Sequence, residues 1–225
     1  MDSMETPKKP GIMAKLRSSK GFSLVEMAIV LVIIGIIIGA IIKGQDLILN
    51  SRAKQVAAAA STWRNLAMAH LDRNGKLPGD GGKTGIISKQ VGYSSATVEI
   101  TSKMPTAPPQ PLTVGGMTFY FYFGNSTGAA GGRNVIVICK DSACAKAFSA
   151  DELEIIKAVD TSIDGASDAQ AGQLRQGPVS LGSADTANFI LTAAPANVST
   201  AGAATPTLWT GKDGDAAIWA FDRPW

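Results

Sequence analysis

The chain has 225 residues, 45% of them apolar, with two cysteines, one histidine and a formal charge of +3. Setting aside a basic leader and a long helix leaves about 150 residues, enough for one compact domain with a core and too few for two of ordinary size. The excess charge belongs to residues 1–21, where Lys8, Lys9, Lys15, Arg17 and Lys20 outnumber Asp2 and Glu5; the remaining chain is neutral, so its charge implies no nucleic-acid surface.

Residues 1–21 hold no apolar run of the kind a Sec-type signal carries. From Phe22 to Ile42 the sequence is almost unbroken apolar, about 21 residues, or roughly 31 Å as a helix at about 1.5 Å per residue, against a hydrocarbon thickness of about 30 Å. Such a run can span a membrane, with the leader's bases on the cytoplasmic side and the rest of the chain outside. It contains one carboxylate, Glu26. Near the hydrocarbon edge a carboxylate costs on the order of 2 kcal/mol or more unless it is partnered or snorkels to the headgroups. A plain anchor needs no such residue.

The stretch Lys20-Gly21-Phe22-Ser23-Leu24-Val25-Glu26-Met27 closes a basic leader and opens an aliphatic helix. It resembles the class III signal of type IV prepilins and type II secretion pseudopilins. The likeness is close over Lys20 to Ile42, continues as helix to about Gly75 and fades to scattered turns beyond. The resemblance implies cleavage by a prepilin peptidase after Gly21 and N-methylation of the new terminus at Phe22. It implies an α+β pilin fold, with a long N-terminal spine helix packed on an antiparallel-sheet head. On this reading 1–21 is the leader, 22–48 the membrane and assembly half of the helix, 49–75 its amphipathic half and 76–225 the head.

The function implied is that of a structural subunit of a type IV pilus or pilus-like filament, not an enzyme. The chain would polymerise with itself or with other pilins, and an inner-membrane assembly platform with its ATPase motor joins the peptidase as a partner. Before assembly the protein would sit in the bacterial inner membrane with its head in the periplasm; afterwards it would belong to an extracellular pilus or a periplasmic pseudopilus. Glu26 would pair with the buried Phe22 amine of a neighbouring subunit, each charge relieving the desolvation of the other and setting the register. Many type IV pilins carry a proline in the outer part of the membrane stretch, and this chain has none between Phe22 and Leu77. The other readings are a type II secretion pseudopilin, and a single-pass anchored periplasmic binding or catalytic domain that retains residues 1–21.

Beyond Ile42 the apolar pattern becomes one-sided. Leu49, Ala53, Val56, Ala60, Trp63, Ala67 and Leu71 recur at helical spacing, which predicts a helix from about Ser23 to Asn74 that packs one stripe on a head. Asn74-Gly75 reads as its C-cap and Pro78 blocks continuation. Gly35, Gly39 and Gly44 weaken this helix locally, and close packing in lipid is their ordinary use. Turn residues from Leu77 open a polar connecting region that runs to the proline-rich 105–111. Strands are predicted at Met117–Phe123 and Arg133–Lys140, as a hairpin, and at Asn188–Thr192 and Ala216–Phe221. Ser149 with Glu152 forms a capping box for a short helix that ends between Asp160 and Gly165.

Cys139 and Cys144 lie at the end of a predicted strand and the start of the following helical segment. In a periplasmic head pairing is favoured; two buried thiols and a redox pair are the alternatives, and the missing C-x-x-C spacing argues against the latter. His70, the single histidine, lacks the partners of a triad or histidine-rich metal site and is expected to pack or cap at the helix end. No cofactor is expected. Asp213, Asp215 and Asp222 could hold calcium through oxygens, although their spacing does not fit an EF-hand and a surface turn is the plainer use. Asp160 and Asp164 are expected to serve the helix end and turn. Trp209, Trp219 and Trp225, with Phe221, are expected in the core around the last strand rather than at a carbohydrate-binding surface.

Overall fold

The computed structural model describes residues 21–80, 83–87, 99–100, 107–126, 133–181, 189–191 and 208–222. The expected leader up to Lys20, much of the connecting region (81–82, 88–98 and 101–106), the loop 127–132, the low-complexity sequence 192–207, the ends of the strand predicted at Asn188–Thr192, and Trp225 lie outside the described residues. Two compact units divide the chain at Gly44: Met1–Gly44, and Gln45–Trp225 with the head.

Helix α1, Leu24–Asn74, is a single element of 51 residues. With no proline to remove a backbone donor, its hydrogen-bond ladder is unbroken through the glycines. In the second unit it buries Ala53, Val56, Ala60, Trp63, Ala67 and His70, a stripe alternating steps of three and four residues, with Ala59 buried beside it. Leu49 and Leu71, expected in that stripe, are partly buried at its margins. Four alanines bring the helix backbone close to the head, and Trp63 is the one large side chain. Its ring meets Phe123 edge-on, with centroids 6.0 Å apart, and Phe123 meets Phe221 in the same way at 5.9 Å.

The helix ends as the sequence predicts. Gly75 has φ 65°, the left-handed conformation that glycine takes without a Cβ penalty, and its N–H donates to the Leu71 carbonyl at 2.8 Å. His70 both packs and caps: it is fully buried, and its Nδ1 lies 3.1 Å from the Lys76 carbonyl. Its Nε2 is 3.8 Å from Glu99, which also takes the Lys76 ammonium at 3.4 Å and the Gly79 N–H at 2.7 Å. Burial pushes the Glu99 carboxyl up, but the Gly79 donor and the Lys76 and His70 charges outweigh it and leave the group below its ordinary range.

Among the described residues the head is a seven-stranded sheet with β1 Leu112–Val114, β2 Met117–Ser126, β3 Asn134–Cys139, β4 Leu174–Pro178, β5 Ser180–Leu181, β6 Phe189–Leu191 and β7 Asp215–Ala220. The order is β4-β7-β3-β2-β6-β5, with β1 also pairing β2. Every pair is antiparallel except β2 with β6, so the antiparallel head expected from the sequence carries one parallel contact. The predicted hairpin is β2 with β3, in the register Phe121↔Ile138. Beside β2 the Gln110 side chain takes the place of a strand, its amide donating to the Phe121 carbonyl at 2.6 Å and accepting the Phe121 N–H at 3.1 Å.

Alternation along the strands gives the sheet two apolar faces. Phe119, Phe121, Phe123, Ile136, Ile138, Ala217 and Trp219 join α1 and helix α2, Ala150–Asp164, in the main core. Tyr122, Val135, Val137, Cys139, Ala216 and Ile218 form a smaller cluster on the other face. At the far end of β2 and β3, Asn134 accepts the Ile87 N–H at 2.7 Å and donates to Asp222 at 2.7 Å, while Asn125 donates to the Ile87 carbonyl at 2.7 Å. Two side-chain amides thus pin residues 85–87 to the sheet.

Helix α2 starts where the capping box places it. Glu152 returns to the Ser149 N–H at 2.7 Å, and Ser149 Oγ accepts the Glu152 N–H at 3.4 Å. Glu152 is buried and also takes the Lys140 ammonium at 2.9 Å, tying the end of β3 to the start of α2. Burial raises its carboxyl, and Lys140 with the Ser149 donors more than offsets this, so the group lies below its ordinary 4.5. A depressed folded value stabilises the protein above the unfolded value and is lost as pH falls through the folded one. Glu152→Gln should therefore cost roughly 1 to 2 kcal/mol at neutral pH, and the gap from wild type should narrow as pH falls below the ordinary carboxylate value of 4.5. Urea unfolding of both proteins across that range measures it; a gap that does not change with pH would assign the cost to the cap alone.

Candidate functional site

The first described residues, Gly21, Phe22 and Ser23, precede α1 in a non-helical conformation. Ser23 stands at the N-cap and Glu26 at the third helical position. The Glu26 Oε2 accepts the Ser23 N–H at 2.8 Å, and the Ser23 Oγ accepts the Val25 N–H at 3.2 Å. This is a reciprocal cap of the box type, and it places the carboxylate at the positive end of the helix. The sequence carried the signal, a serine three residues ahead of a glutamate before an apolar run, but the reading of Glu26 as an intersubunit partner passed over it. One peptide separates the Ser23 N–H that Glu26 holds from the nitrogen of Phe22, so a free amine at Phe22 would arise within the same turn of chain.

Phe22 is 82% exposed and Leu24 87%, and Ile29, Val32, Ile33, Ile36, Ile37, Ile41 and Ile42 are exposed as well. The helix is long and apolar enough to cross a membrane by length and composition, and none of its most apolar window is buried. A Cβ at Gly21, Gly35, Gly39 or Gly44 would meet no atom within 4 Å, so packing within the chain does not require these glycines.

The two cysteines are bonded, with Cα atoms 5.1 Å apart. Cys139 ends β3, and both cysteines are buried. Cys144 does not open a helical segment as expected: it lies in a loop with φ 50°, and α2 begins only at Ala150. Asp141 orders that loop by accepting the Ala145 and Lys146 N–H groups at 2.9 and 3.2 Å, and the Tyr122 hydroxyl donates to the Ser142 carbonyl at 3.0 Å.

The three aspartates considered for calcium have separate partners. Asp213 accepts the Ala147 N–H at 2.9 Å, Asp215 faces the Gln176 amide at 3.1 Å and Asp222 takes the Asn134 amide at 2.7 Å. No group of three or more His, Cys, Asp or Glu placed to hold a metal occurs among the described residues. Trp209, Trp219 and Phe221 are buried, as the core reading expected. The Trp209 indole N–H reaches Asp160 at 2.9 Å, a contact between residues 49 positions apart that no sequence spacing signals.

Residues 16–42 match the family model described as the prokaryotic N-terminal methylation motif. This is the class III signal, characteristic of type IV pilins and pseudopilins. The motif supports a pilin-like or pseudopilin precursor of the kind that prepilin peptidase processes. A transmembrane-capable helix leading to an α+β head is the pilin-like arrangement, and inner-membrane anchoring before assembly fits it. Comparison with curated proteins and with solved structures gave no match.

The short loop closed by Cys139 and Cys144 holds an ordered turn, so opening it should cost about 2 kcal/mol in the chain-entropy picture. Nonreducing peptide mapping of protein recovered from the membrane fraction should show the bridge. Cys139→Ala/Cys144→Ala should unfold at correspondingly lower denaturant, whereas two free thiols in the native protein would contradict the bond.

Proposed function

We propose that the chain is a structural subunit of a type IV pilus or pilus-like filament, cut between Gly21 and Phe22, N-methylated at Phe22 and polymerised through α1. The observation that carries this reading is the methylation motif at 16–42, over which the large apolar residues of the helix that are described are exposed. A helix of that kind needs lipid or other helices around it, and a filament core exchanges the first for the second. Residues 22–48 act as the membrane and assembly half of the helix, 49–75 as the half that carries the head, and 76–225 as the head. A secretion pseudopilin would use the same assembly chemistry, and the uninterrupted α1 suits either. Platform protein and ATPase motor are the partners that would extract the helix from the bilayer.

In this mechanism Glu26 changes partner. In the single chain it caps Ser23; in the filament it neutralises the Phe22 amine of a neighbouring subunit and sets the stagger between helices. The pairing matters because both groups enter an apolar core, where an unpartnered charge is strongly unfavourable.

Processing is tested by intact mass. The mature protein from cells with active prepilin peptidase should begin at methylated Phe22, and Gly21 replaced by a bulkier residue should leave the leader attached. Mature protein that retains Met1 to Gly21 would instead support the anchored-domain reading.

Assembly is tested by two variants that separate cap from charge. Glu26→Gln keeps an acceptor for the Ser23 N–H but has no charge to offer an amine; Glu26→Ala loses both. Breaking one member of a buried pair costs about 3 to 5 kcal/mol, so both variants should lower filament yield by more than about 100-fold, with cleavage and membrane levels unchanged. The measurement is sheared filament against membrane-associated protein. Wild-type yield from Glu26→Gln would show that the cap is the whole role of Glu26.

A further inference from the structure

The last turn of α2 opposes the ionisation of Asp160. Asp160 is fully buried, with Oδ2 accepting from the Trp209 indole at 2.9 Å and from the Asp168 N–H at 2.8 Å. Its Oδ1 is buried too and accepts no hydrogen bond from the described residues. Asp164 follows one turn later, and no basic residue occupies that last turn, so both carboxyls sit at the negative end of the helix. Burial, with a further push from Asp164, raises Asp160 to about 7, against the Trp209 and Asp168 donors that favour the ion. Across the gap Arg175 on β4 acts on Asp164 and Asp168, and Arg133 opposes Arg175.

The same two carboxyls hold a strap. Asp164 Oδ2 accepts the N–H groups of Gln173 and Leu174 at 2.8 and 2.9 Å, Asp160 holds Asp168, and the Gln176 N–H donates to the Ala169 carbonyl at 2.8 Å. Residues 165–173 are thereby tied along β4, the outermost strand at one end of the sheet order. The strap occupies the Leu174 and Gln176 donors that a foreign strand would use for pairing.

We propose that Asp160 and Asp164 form a proton-operated clasp: with a proton on Asp160 Oδ1 the strap stays closed over the edge of β4, and loss of that proton to solvent loosens it. The acid form can donate its proton in a hydrogen bond to the Asp164 carboxylate, a contact that favours the neutral state of Asp160. The ionised form leaves a buried anion beside a second carboxylate, and it can reach water only by giving up Trp209 and Asp168. The sign follows from the direction of the shift. A carboxyl raised in the folded state is tightest below its unfolded value near 3.8 and loses its contribution as pH climbs through about 7. The device does not depend on how the chain assembles.

Hydrogen exchange of the full chain in detergent micelles, at about pH 5.5 and about pH 8 with intrinsic rates corrected, tests it. Amides of the strap and of Leu174 and Gln176 should lose about tenfold in protection at the higher pH, while β3 keeps its own. Asp160→Asn retains an acceptor for Trp209 and Asp168 without a charge, and Asp164→Asn removes the like charge and supplies a donor for Oδ1. Either variant should keep the strap protected at both pH values, so if one fails to fold the other decides. Equal protection in the wild type at both pH values, a loss spread equally over β3, or pH dependence that survives in a folded variant would each overturn the clasp.

Discussion

A single helix that must satisfy two surroundings constrains everything else in this protein. An α-helix closes its own backbone hydrogen bonds, so its first half can stand in hydrocarbon or among other helices with no further partner. Its side chains are then free to be apolar all round, as they are from Phe22 to Ile42 apart from Ser23 and Glu26. The second half keeps the same backbone but answers to a head, and its buried positions narrow to one stripe. Alanine dominates that stripe because a sheet already faced with Phe119, Phe121 and Phe123 leaves little depth for the helix. Trp63 is the exception. It fills the space between the stripe and Phe123, at the cost of an indole N–H buried without a hydrogen-bond partner.

What could be read from the sequence follows from how local each cause is. Helix periodicity, the Asn74-Gly75 stop, the Ser149/Glu152 start and the runs of β2 and β3 all act within a few residues, and they stand where the sequence puts them. The strands that went unread are those whose pairing is decided elsewhere. Leu174-Arg175-Gln176-Gly177-Pro178 has no alternation and contains Gly and Pro, yet β7 recruits it as an edge strand, where a missing Pro178 N–H does no harm. Leu112–Val114 is too short to signal, and it pairs because Gly115 and Gly116 both take positive φ and fold it back on β2. His70 was legible as a helix-end residue but not as the continuation of the buried stripe. Its burial depends on Glu99 and Lys76, which the sequence does not place beside it.

The head's charges divide by the end of the helix they occupy. Glu152 at the start of α2 meets backbone donors and Lys140, and its ionised form is the stabilised one. Asp160 at the other end is buried beside Asp164, and burial first, with Asp164 adding to it, makes its neutral form the stabilised one. One helix thus imposes an acid limit through its first turn and an alkaline limit through its last. The greatest stability is expected between the two, without reference to the isoelectric point of the whole chain.

The same dipole argument bears on Glu26. A carboxylate in the first turn of α1 interacts favourably with the helix whether or not a neighbour is present, and it already accepts the Ser23 N–H. Cleavage after Gly21 would add a positive amine to that turn, so the free subunit would not be waiting with a bare charge. In the proposed filament, pairing between subunits would then have to be stronger than a local arrangement that costs the single chain nothing to keep. Water decides the balance. At a wet interface the local cap suffices and the two arrangements are nearly equivalent. Within a dry bundle of helices, every uncompensated charge is expensive, and only a stagger that brings each carboxylate to an amine is acceptable. The residue that looks like a defect in an apolar helix is in that case what selects one register among the many that smooth apolar surfaces would allow.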